Sequence, residues 1–331
     1  MKNLVTPITQ TASYSANQTA SIDVNLSGYV TQIDVDITLN VTAGTSVTPY
    51  SDDEALRIIK ALKFTASNAK DFISFRDGRE AYWLSYLKSQ GQAQADSLPS
   101  PGSTDDVVIQ FSIHPGGNFG NPFDKSRVIP LRGLSNVQMQ ITWGSASDLG
   151  TGYTVNSGSM AITVYHAILE KGESEKEAFE GLDHLMVPRY IPVEYSIDAV
   201  YSSYGFSKNV PTGAYIRDAM IMVLNSSDVR SNSDVSAVRV ATNTGEMRWK
   251  QDDFARWLRA VRQQLYLPAA LTGVGMIFFR DITGKPYGLD MVGASLGDWT
   301  LDFTTAASDG KIKVIYEGAD LVPVDVTEVG K

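Results

Sequence analysis

The chain has 331 residues, a formal net charge of −9 and no cysteine. The lack of cysteine excludes disulfides, Cys-ligated zinc, iron–sulfur clusters and thiol nucleophiles. The acidic balance argues against a protein that binds nucleic acid through a generally basic surface.

Length and composition predict a globular protein with two domains of ordinary size. Hydrophobic residues make up 43% of the chain and charged residues 20%, which is an ordinary globular composition. The polar N-terminal stretch lacks the apolar core of a signal peptide. No stretch approaches the ~18 consecutive apolar residues of a membrane-spanning helix.

Alternation with a period of two dominates the chain and predicts half-buried β-strands. After a polar arm at 1–20, the first such strand is 33–41, where Ile, Val, Ile, Leu and Val alternate with polar residues. Further strands rich in β-branched and aromatic residues are predicted at 136–143, 160–169, 299–305 and 311–318.

Three segments favour helices instead. Residues 81–87 place Trp83, Leu84 and Leu87 on one helical face. Within 250–265, the apolar residues from Phe254 onward recur at i, i+3, i+4, i+7 and i+11, with aspartates near the start and arginines near the end. The charged segment 172–188 could form a third helix between the two halves of the chain.

Five phrases recur in the same order in both halves, which indicates a duplicated unit. They are Ser-Ile-Asp at 21 and 196, an apolar run ending in Asn at 40 and 225, Ala-x-Trp-Leu at 81 and 255, an alternating strand followed by Ala-Ser-Asp that begins at 134 and 296, and a strand with Tyr at 165 and 316. Each half then reads as strands, a short helix and more strands. That order suits an antiparallel β-sandwich, and an eight-stranded jelly roll fits units of this size.

The predicted fold class is therefore all-β, with two tandem eight-stranded jelly rolls, each with a short flanking helix. The predicted boundaries are an N-terminal arm at 1–20, a first jelly roll at 21–170, an inter-roll linker, possibly helical, at 171–191, a second jelly roll at 192–322 and a C-terminal tail at 323–331.

The paired helices at 81–87 and 255–261 and the paired strands LSNVQMQITW and LGDWTLDFTT, each followed by Ala-Ser-Asp, carry a family resemblance. In architecture and segment order, the region from about 21 to 322 resembles the double-jelly-roll major capsid proteins of tailless icosahedral viruses. The resemblance implies a structural subunit without catalytic activity. Three chains would form a pseudo-hexameric trimer, and such trimers would tile the shell.

The same resemblance implies the partners and the location. The implied partners are two further copies in a homotrimer, neighbouring capsomers, minor capsid proteins and, in some members, an internal viral membrane. The implied location is the virion, which is assembled in the host cytoplasm. Some members meet that membrane through a basic or amphipathic N-terminal segment, whereas residues 1–20 here contain one basic residue, Lys2. No arginine-rich arm supports direct packaging of the genome, and no sequence-specific binding of nucleic acid is expected.

The chemistry-bearing residues predict no catalytic, cofactor or metal site. His114, His166 and His184 lack the His-x-His spacing that would place two imidazoles on one strand face. Asp34 and Asp36 share a strand face and could be a glycosidase pair, but alternating aspartates also keep a solvent-facing strand soluble. The acidic runs 51–54 and 251–253 lack the spacing of a calcium loop. No nucleophile elbow or phosphate loop is present.

One cluster of basic residues stands out in the second half of the chain. Basic residues interleaved with tryptophans could bind nucleic acid, but a subunit interface or a solvated face explains them more simply. These residues are Arg248, Lys250, Arg256, Arg259 and Arg262, with Trp249 and Trp257.

The alternative function for the whole chain is a carbohydrate-binding or carbohydrate-cleaving β-sandwich. It would use aromatic residues in Gly- and Pro-rich loops, namely Tyr50, Tyr153 and Tyr287.

Overall fold

The computed structural model describes residues 1–66, 70–115, 123, 125, 127–179, 181–285 and 288–324. The strands of the first half are β1 Lys2–Pro7, β2 Ala12–Ser13, β3 Thr19–Asp23, β4 Tyr29–Pro49, β5 Ile59–Ala66, β6 Lys70–Phe75, β7 Gln94–Ala95, β8 Thr104–Ile113, β9 Ile129–Pro130, β10 Gln138–Trp143 and β11 Gly150–Ile168. Those of the second half are β12 His184–Ser196, β13 Phe206–Asn209, β14 Tyr215–Leu224, β15 Val235–Thr242, β16 Met247–Gln251, β17 Val274–Phe278, β18 Leu289–Asp290, β19 Trp299–Thr305 and β20 Lys311–Pro323. The helices are α1 Gly78–Lys88, α2 Glu175–Ala178, α3 Phe254–Gln264 and α4 Phe279–Thr283.

The chain divides into two compact units. The first comprises Met1–Arg189 and the chain from Asp320 onward, and the second comprises Tyr190–Ala319. Each unit is built around antiparallel β-sheets.

The first unit has the strand order of an eight-stranded jelly roll. Its larger sheet runs β1-β11-β4-β8-β7, with β2 also paired to β11 and β9 to β4, and its smaller sheet runs β3-β10-β5-β6. With β1 and β2 counted together as the first of eight main strands, the orders become 1-8-3-6 and 2-7-4-5. Consecutive strands thus alternate between the sheets except for the fourth and fifth, which are neighbours in the smaller sheet, and this is the strand order of a jelly roll.

The second unit repeats this order strand for strand. Its sheets run β12-β20-β14-β17 and β13-β19-β15-β16, with β18 also paired to β14. Numbered along the unit, these are again 1-8-3-6 and 2-7-4-5. The helices α1 and α3 both lie between the fifth and sixth main strands. The predicted fold of two eight-stranded jelly rolls, each with a helix, is confirmed.

Period-two alternation forms the core of the first roll as the sequence predicts. The inward side chains of β4 are at most 1% exposed, namely Ile33, Val35, Ile37, Leu39 and Val41. Each such side chain contributes about 1.5–3 kcal/mol when it leaves water. Because the opposite face of β4 carries Asp, Thr and Asn, a one-residue slip in register would bury polar groups.

The first roll begins earlier than the sequence predicts. The sequence predicts an arm at 1–20, but β1 pairs with β11 from Lys2 opposite Ile168 to Pro7 opposite Thr163, and β2 pairs with β11 at Ala12 and Ser13. These short segments supply the first main strand. Their alternation is weak because β1 is an edge strand without a fully buried residue.

Apart from one short helix, the described residues between the rolls are irregular up to His184, where a strand begins. Of the described residues in 172–188, only α2 is helical, and it is held by a capping box between Ser174 and Glu177. Gly181 then adopts a left-handed backbone at φ +77°. From His184 the chain is strand β12, because Leu185 and Val187 alternate as buried residues, and Pro188 cannot donate the hydrogen bond that a continuing helix needs.

The shared Ala-x-Trp-Leu phrase does not mark equivalent positions in the two helices. Asp77 caps α1 and Asp253 caps α3, so Trp83 lies 83 − 77 = 6 residues from its cap and Trp257 lies 257 − 253 = 4 from its own. Trp83 is half-buried and donates to Asp53, whereas Trp257 is buried. The equivalence of the helices therefore rests on their place between the same strands.

The cap of α3 generates a stability prediction. The Asp253 carboxylate accepts the backbone N–H of Arg256 at 2.8 Å. We expect Asp253→Ala to lower the free energy of unfolding by about 1 kcal/mol because this N–H loses its partner, whereas Asp253→Asn, which can still cap, should cost less. Urea unfolding followed by circular dichroism measures both. Equal stability of the Ala variant and the wild type would contradict this role of the cap.

Candidate functional site

The three histidines lie apart and have structural surroundings. His166, in β11, is buried, and its ring nitrogens lie 3.0 Å from Thr6 Oγ1 and 3.0 Å from the Ser27 carbonyl. His114 is buried just after β8, and His184 is exposed at the start of β12. Within the described residues, no group of three or more His, Asp or Glu side chains could hold a metal ion.

Asp34 and Asp36 both lie on the outward side of β4, where they link neighbouring strands. Asp34 accepts hydrogen bonds from Gln32 Nε2 at 2.6 Å and from Ser112 Oγ at 2.7 Å, and Asp36 accepts one from Gln110 Nε2 at 2.7 Å. Ser112 and Gln110 lie directly opposite these aspartates in the β4–β8 register. Both carboxylates therefore satisfy cross-strand donors, as polar pairs on a solvated sheet do.

A third aspartate extends this surface. Asp106 of β8 is exposed and accepts a hydrogen bond from Asn40 Nδ2 at 2.8 Å. We call the outward side chains of β4 and β8 the acidic face, since Asp34, Asp36 and Asp106 lie on it and neither strand places a lysine or arginine there. Burial raises the pKa of the neighbouring Tyr165, and the negative charge of Asp34 raises that pKa further.

The acidic run 51–54 serves the local structure. Asp52 pairs with Arg57 at 3.0 Å, Asp53 accepts the indole N–H of Trp83 at 3.1 Å, and Glu54 accepts the backbone N–H of Leu98 at 2.9 Å. These carboxylates hold a loop, a helix and a turn together rather than converging on one point.

The acidic run 251–253 is also occupied. Asp253 caps α3, while Asp252 pairs with Lys250 at 2.9 Å and accepts the hydroxyl of Tyr204. Burial, together with this hydrogen bond to an anionic partner, raises the pKa of Tyr204 to about 12.

The basic cluster divides into engaged and exposed cations. Arg248 pairs with Glu246 at 2.7 Å, and Arg262 donates to the carbonyls of Leu267 at 3.2 Å and Pro268 at 3.0 Å. Lys250 is held by Asp252 as described. Arg256 and Arg259 are exposed at i and i+3 on α3 and so lie on one side of the helix. We call this side, with Ala260 and Gln263, the basic face.

The tryptophans of this cluster belong to the body of the second roll. Trp257 is 3% exposed and packs at 5.8 Å, centroid to centroid, against Trp249. A cleft of about 290 Å³ borders both rings and is also lined by Phe278 and Ile282. Because Trp257 packs in the core, it does not offer a free face for stacking on a base.

One aromatic residue near α3 is fully presented to solvent. Tyr266 is 81% exposed and has a left-handed backbone at φ +54°. It follows the helix end, where the N–H of Leu267 donates to the Arg262 carbonyl at 3.0 Å and its own N–H to the Gln263 carbonyl at 3.2 Å. This is a Schellman motif with tyrosine at the position that glycine usually occupies.

The loop tyrosines considered for sugar binding do not support that role. Tyr153 is 8% exposed, so its ring cannot stack on a sugar. Tyr50 is partly exposed, but the guanidinium of Arg57 covers its ring at 4.1 Å. Tyr287 lies outside the described residues. In the part of the chain that is described, no helix has the length and apolar character needed to cross a membrane.

Comparison with known proteins gives matches at the level of structure. No protein-family model matches the sequence, and no curated protein matches it either. The STIV MCP, from Sulfolobus Turreted Icosahedral Virus, superposes with a TM-score of 0.77 at 16% identity, covering 96% of this chain and 97% of that one. The chain has the double-jelly-roll fold of viral major capsid proteins.

Two further structures share this fold across nearly the whole chain. The capsid of the virus PBCV-1 gives a TM-score of 0.61 at 9% identity and covers 98% of this chain and 95% of that one. The major capsid protein P2 of bacteriophage PM2 gives 0.54 at 13% identity, covering 96% and 98%. The double-jelly-roll resemblance indicated by the sequence is therefore confirmed as a likeness of fold.

The Tyr204–Asp252 pair predicts a pH dependence. The folded-state pKa of Tyr204, about 12, lies above the ordinary value of about 10. The contribution of the neutral hydroxyl is thus complete below about pH 10 and is lost as the pH rises through about 12. We expect wild type to lose more thermal stability than Tyr204→Phe between these pH values. The control is Tyr266→Phe, at an exposed site, which should track wild type. Parallel loss in wild type and Tyr204→Phe would contradict the account.

Proposed function

We propose that this chain is a structural subunit of an icosahedral viral capsid, without enzymatic activity. The observation that carries the proposal is the complete double-jelly-roll topology, which aligns from end to end with capsid proteins rather than through one roll alone. A duplicated roll gives one chain two similar building blocks. Such a chain can fill a lattice site with six neighbours using three copies.

The chemistry of the described surface fits this role. The candidate carboxylates satisfy cross-strand donors or hold loops, and the ring of His166 contacts Thr6 and the Ser27 carbonyl. Besides the cleft beside Trp249 and Trp257, the features open to solvent include broad surfaces, among them the acidic face, the basic face and the exposed Tyr266. Extended surfaces of this kind suit contacts between proteins better than they suit a small substrate, which binds in a concave pocket.

The partners proposed for this chain follow from the same role. Three copies would form a pseudo-hexameric trimer, which would contact neighbouring capsomers and minor capsid proteins in the virion. Assembly in the host cytoplasm and contact with an internal viral membrane belong to the proposal as well. We do not propose sequence-specific binding of nucleic acid, because the acidic face carries no cation and three of the five cations in the basic cluster already have partners.

The carbohydrate-binding or carbohydrate-cleaving alternative has less support. It needed exposed loop tyrosines, yet Tyr153 is buried and Tyr50 is covered by Arg57. It also needed Asp34 and Asp36 as an acid and a base. Both are engaged with strand neighbours instead.

Solution mass tests the proposed function. We expect multi-angle light scattering of the purified protein to give a mass near three times 36.0 kDa, or larger assemblies built from that block. A capsid subunit should be an obligate oligomer because its open surfaces are interfaces. A stable monomer at high protein concentration would contradict the proposal, and glycan screening would then test the alternative.

A further inference from the structure

The two rolls share one topology, so each surface of one roll has a counterpart in the other. The larger sheets correspond through their order 1-8-3-6, which pairs β4 with β14, β8 with β17 and β11 with β20. The helices α1 and α3 correspond through their place between the fifth and sixth strands. Burial can therefore be compared surface by surface.

The outward side of the larger sheet is open in the first roll and buried in the second. In β4 the outward positions from Asp34 onward are half-buried or exposed, alternating with buried inward ones. In β14, by contrast, no residue of 218–224 is more than 3% exposed. Residues 312–319 of β20 and all of β17 are buried as well. The acidic face is thus the open counterpart of a buried surface.

The helices show the reverse asymmetry. Nine of the eleven residues of α1 are buried, including the charged residues Arg79, Glu80 and Lys88. Four of the eleven residues of α3 are buried, and its basic face is open. One open sheet face and one open helix face therefore remain, and they lie on different rolls.

The two open surfaces carry opposite charges. The acidic face presents Asp34, Asp36 and Asp106, whereas the basic face presents Arg256 and Arg259 on a chain with a net charge of −9. Complementary charge steers association and excludes wrong partners. The acidic face of a second copy of this chain therefore has the charge that complements the basic face.

The turn after α3 points to the same surface. An exposed tyrosine at a left-handed position costs roughly 1–2 kcal/mol, which glycine would avoid. Strained, rigidly held residues concentrate at functional positions, and tyrosine is enriched among residues that dominate binding energy. In the first roll, the corresponding turn has Gln90 at φ +57°, with the N–H of Gly91 donating to the Tyr86 carbonyl at 2.8 Å.

We propose that the basic face of α3 and the adjoining Tyr266 bind the acidic face of a second copy of this chain. The inference rests on the proposed function and names the contact that builds the oligomer. The contact is head-to-tail, since it joins the second roll of one copy to the first roll of the next. Repeated contacts of this kind close a ring when the rotation permits it.

A charge swap tests the pairing. We expect Arg256→Glu with Arg259→Glu, and separately Asp36→Lys with Asp106→Lys, each to raise the dissociation constant of the oligomer at least about tenfold, since like charges then face each other. All four changes together should restore most of the affinity. The matched control is Lys171→Glu with Lys285→Glu, at exposed sites that belong to neither face, and it should leave the dissociation constant unchanged. Light scattering over a dilution series measures each variant, and thermal unfolding checks that each is folded.

The outcomes separate this inference from the proposed function. Wild type that oligomerises, with both charge-reversed pairs as tight as the control, would overturn the inference and leave the capsid role standing. Weakening without recovery in the fourfold variant would also overturn the pairing. Wild type that stays monomeric would overturn the proposed function itself.

The turn residues provide a second test that does not depend on charge. Tyr266→Gly relieves the left-handed strain and should fold at least as well as wild type, yet it should weaken the oligomer several-fold because the ring is lost. Asn136→Gly relieves a left-handed backbone at φ +48° at an exposed site on neither face, and it should leave the oligomer unchanged. Equal effects of the two substitutions on assembly would contradict the role of Tyr266.

Discussion

The pairing of the last strand of each roll with its first and third strands is the interaction on which the rest of the structure depends. In the first roll, β11 lies between β1 and β4 and pairs with β4 from Gly150 opposite Pro49 to Ala167 opposite Tyr29. In the second roll, β20 lies in the same way between β12 and β14. This pairing brings the first and last strands of each roll into one sheet, beside the third. The register of β4 in turn sets which side chains face the core and which form the acidic face.

Much of the fold could be predicted from the sequence because burial on one side leaves a strong periodic trace. The strands around 33–41, 136–143 and 299–305 and the stripe of α3 were found from that trace, and they lie in β4, β10, β19 and α3. Three of the repeated phrases fall in corresponding strands of the two rolls. The edge strand β1 left no such trace, because none of its residues is fully buried. The first Ser-Ile-Asp lies in β3, whereas the second begins at the last residue of β12 and continues beyond it, so the two do not correspond. Short polar phrases were therefore the weakest part of the inference.

The surfaces were harder to predict than the core. Alternation identified the outward aspartates of β4, but not that the corresponding side of β14 is buried, because a strand buried on both faces reads only as a continuous apolar run. The exposure of Tyr266 also left no sequence signal, since tyrosine occurs in cores and at surfaces alike. The basic cluster was visible from spacing, yet only the structure separates the engaged Arg248 and Arg262 from the open Arg256 and Arg259.

Duplication followed by divergence of charge explains how one chain could assemble in a directed way. Two rolls of the same topology would associate in several equivalent arrangements if their surfaces were alike. An acidic sheet face on one roll and a basic helix face on the other make the contact one-way, because like faces repel each other.

The most direct test of this account is electron cryomicroscopy of the purified protein at assembly concentration. The account predicts closed blocks of six jelly rolls, with α3 of each copy against β4 and β8 of the next. Isolated double rolls, or blocks in which α3 faces solvent, would contradict it.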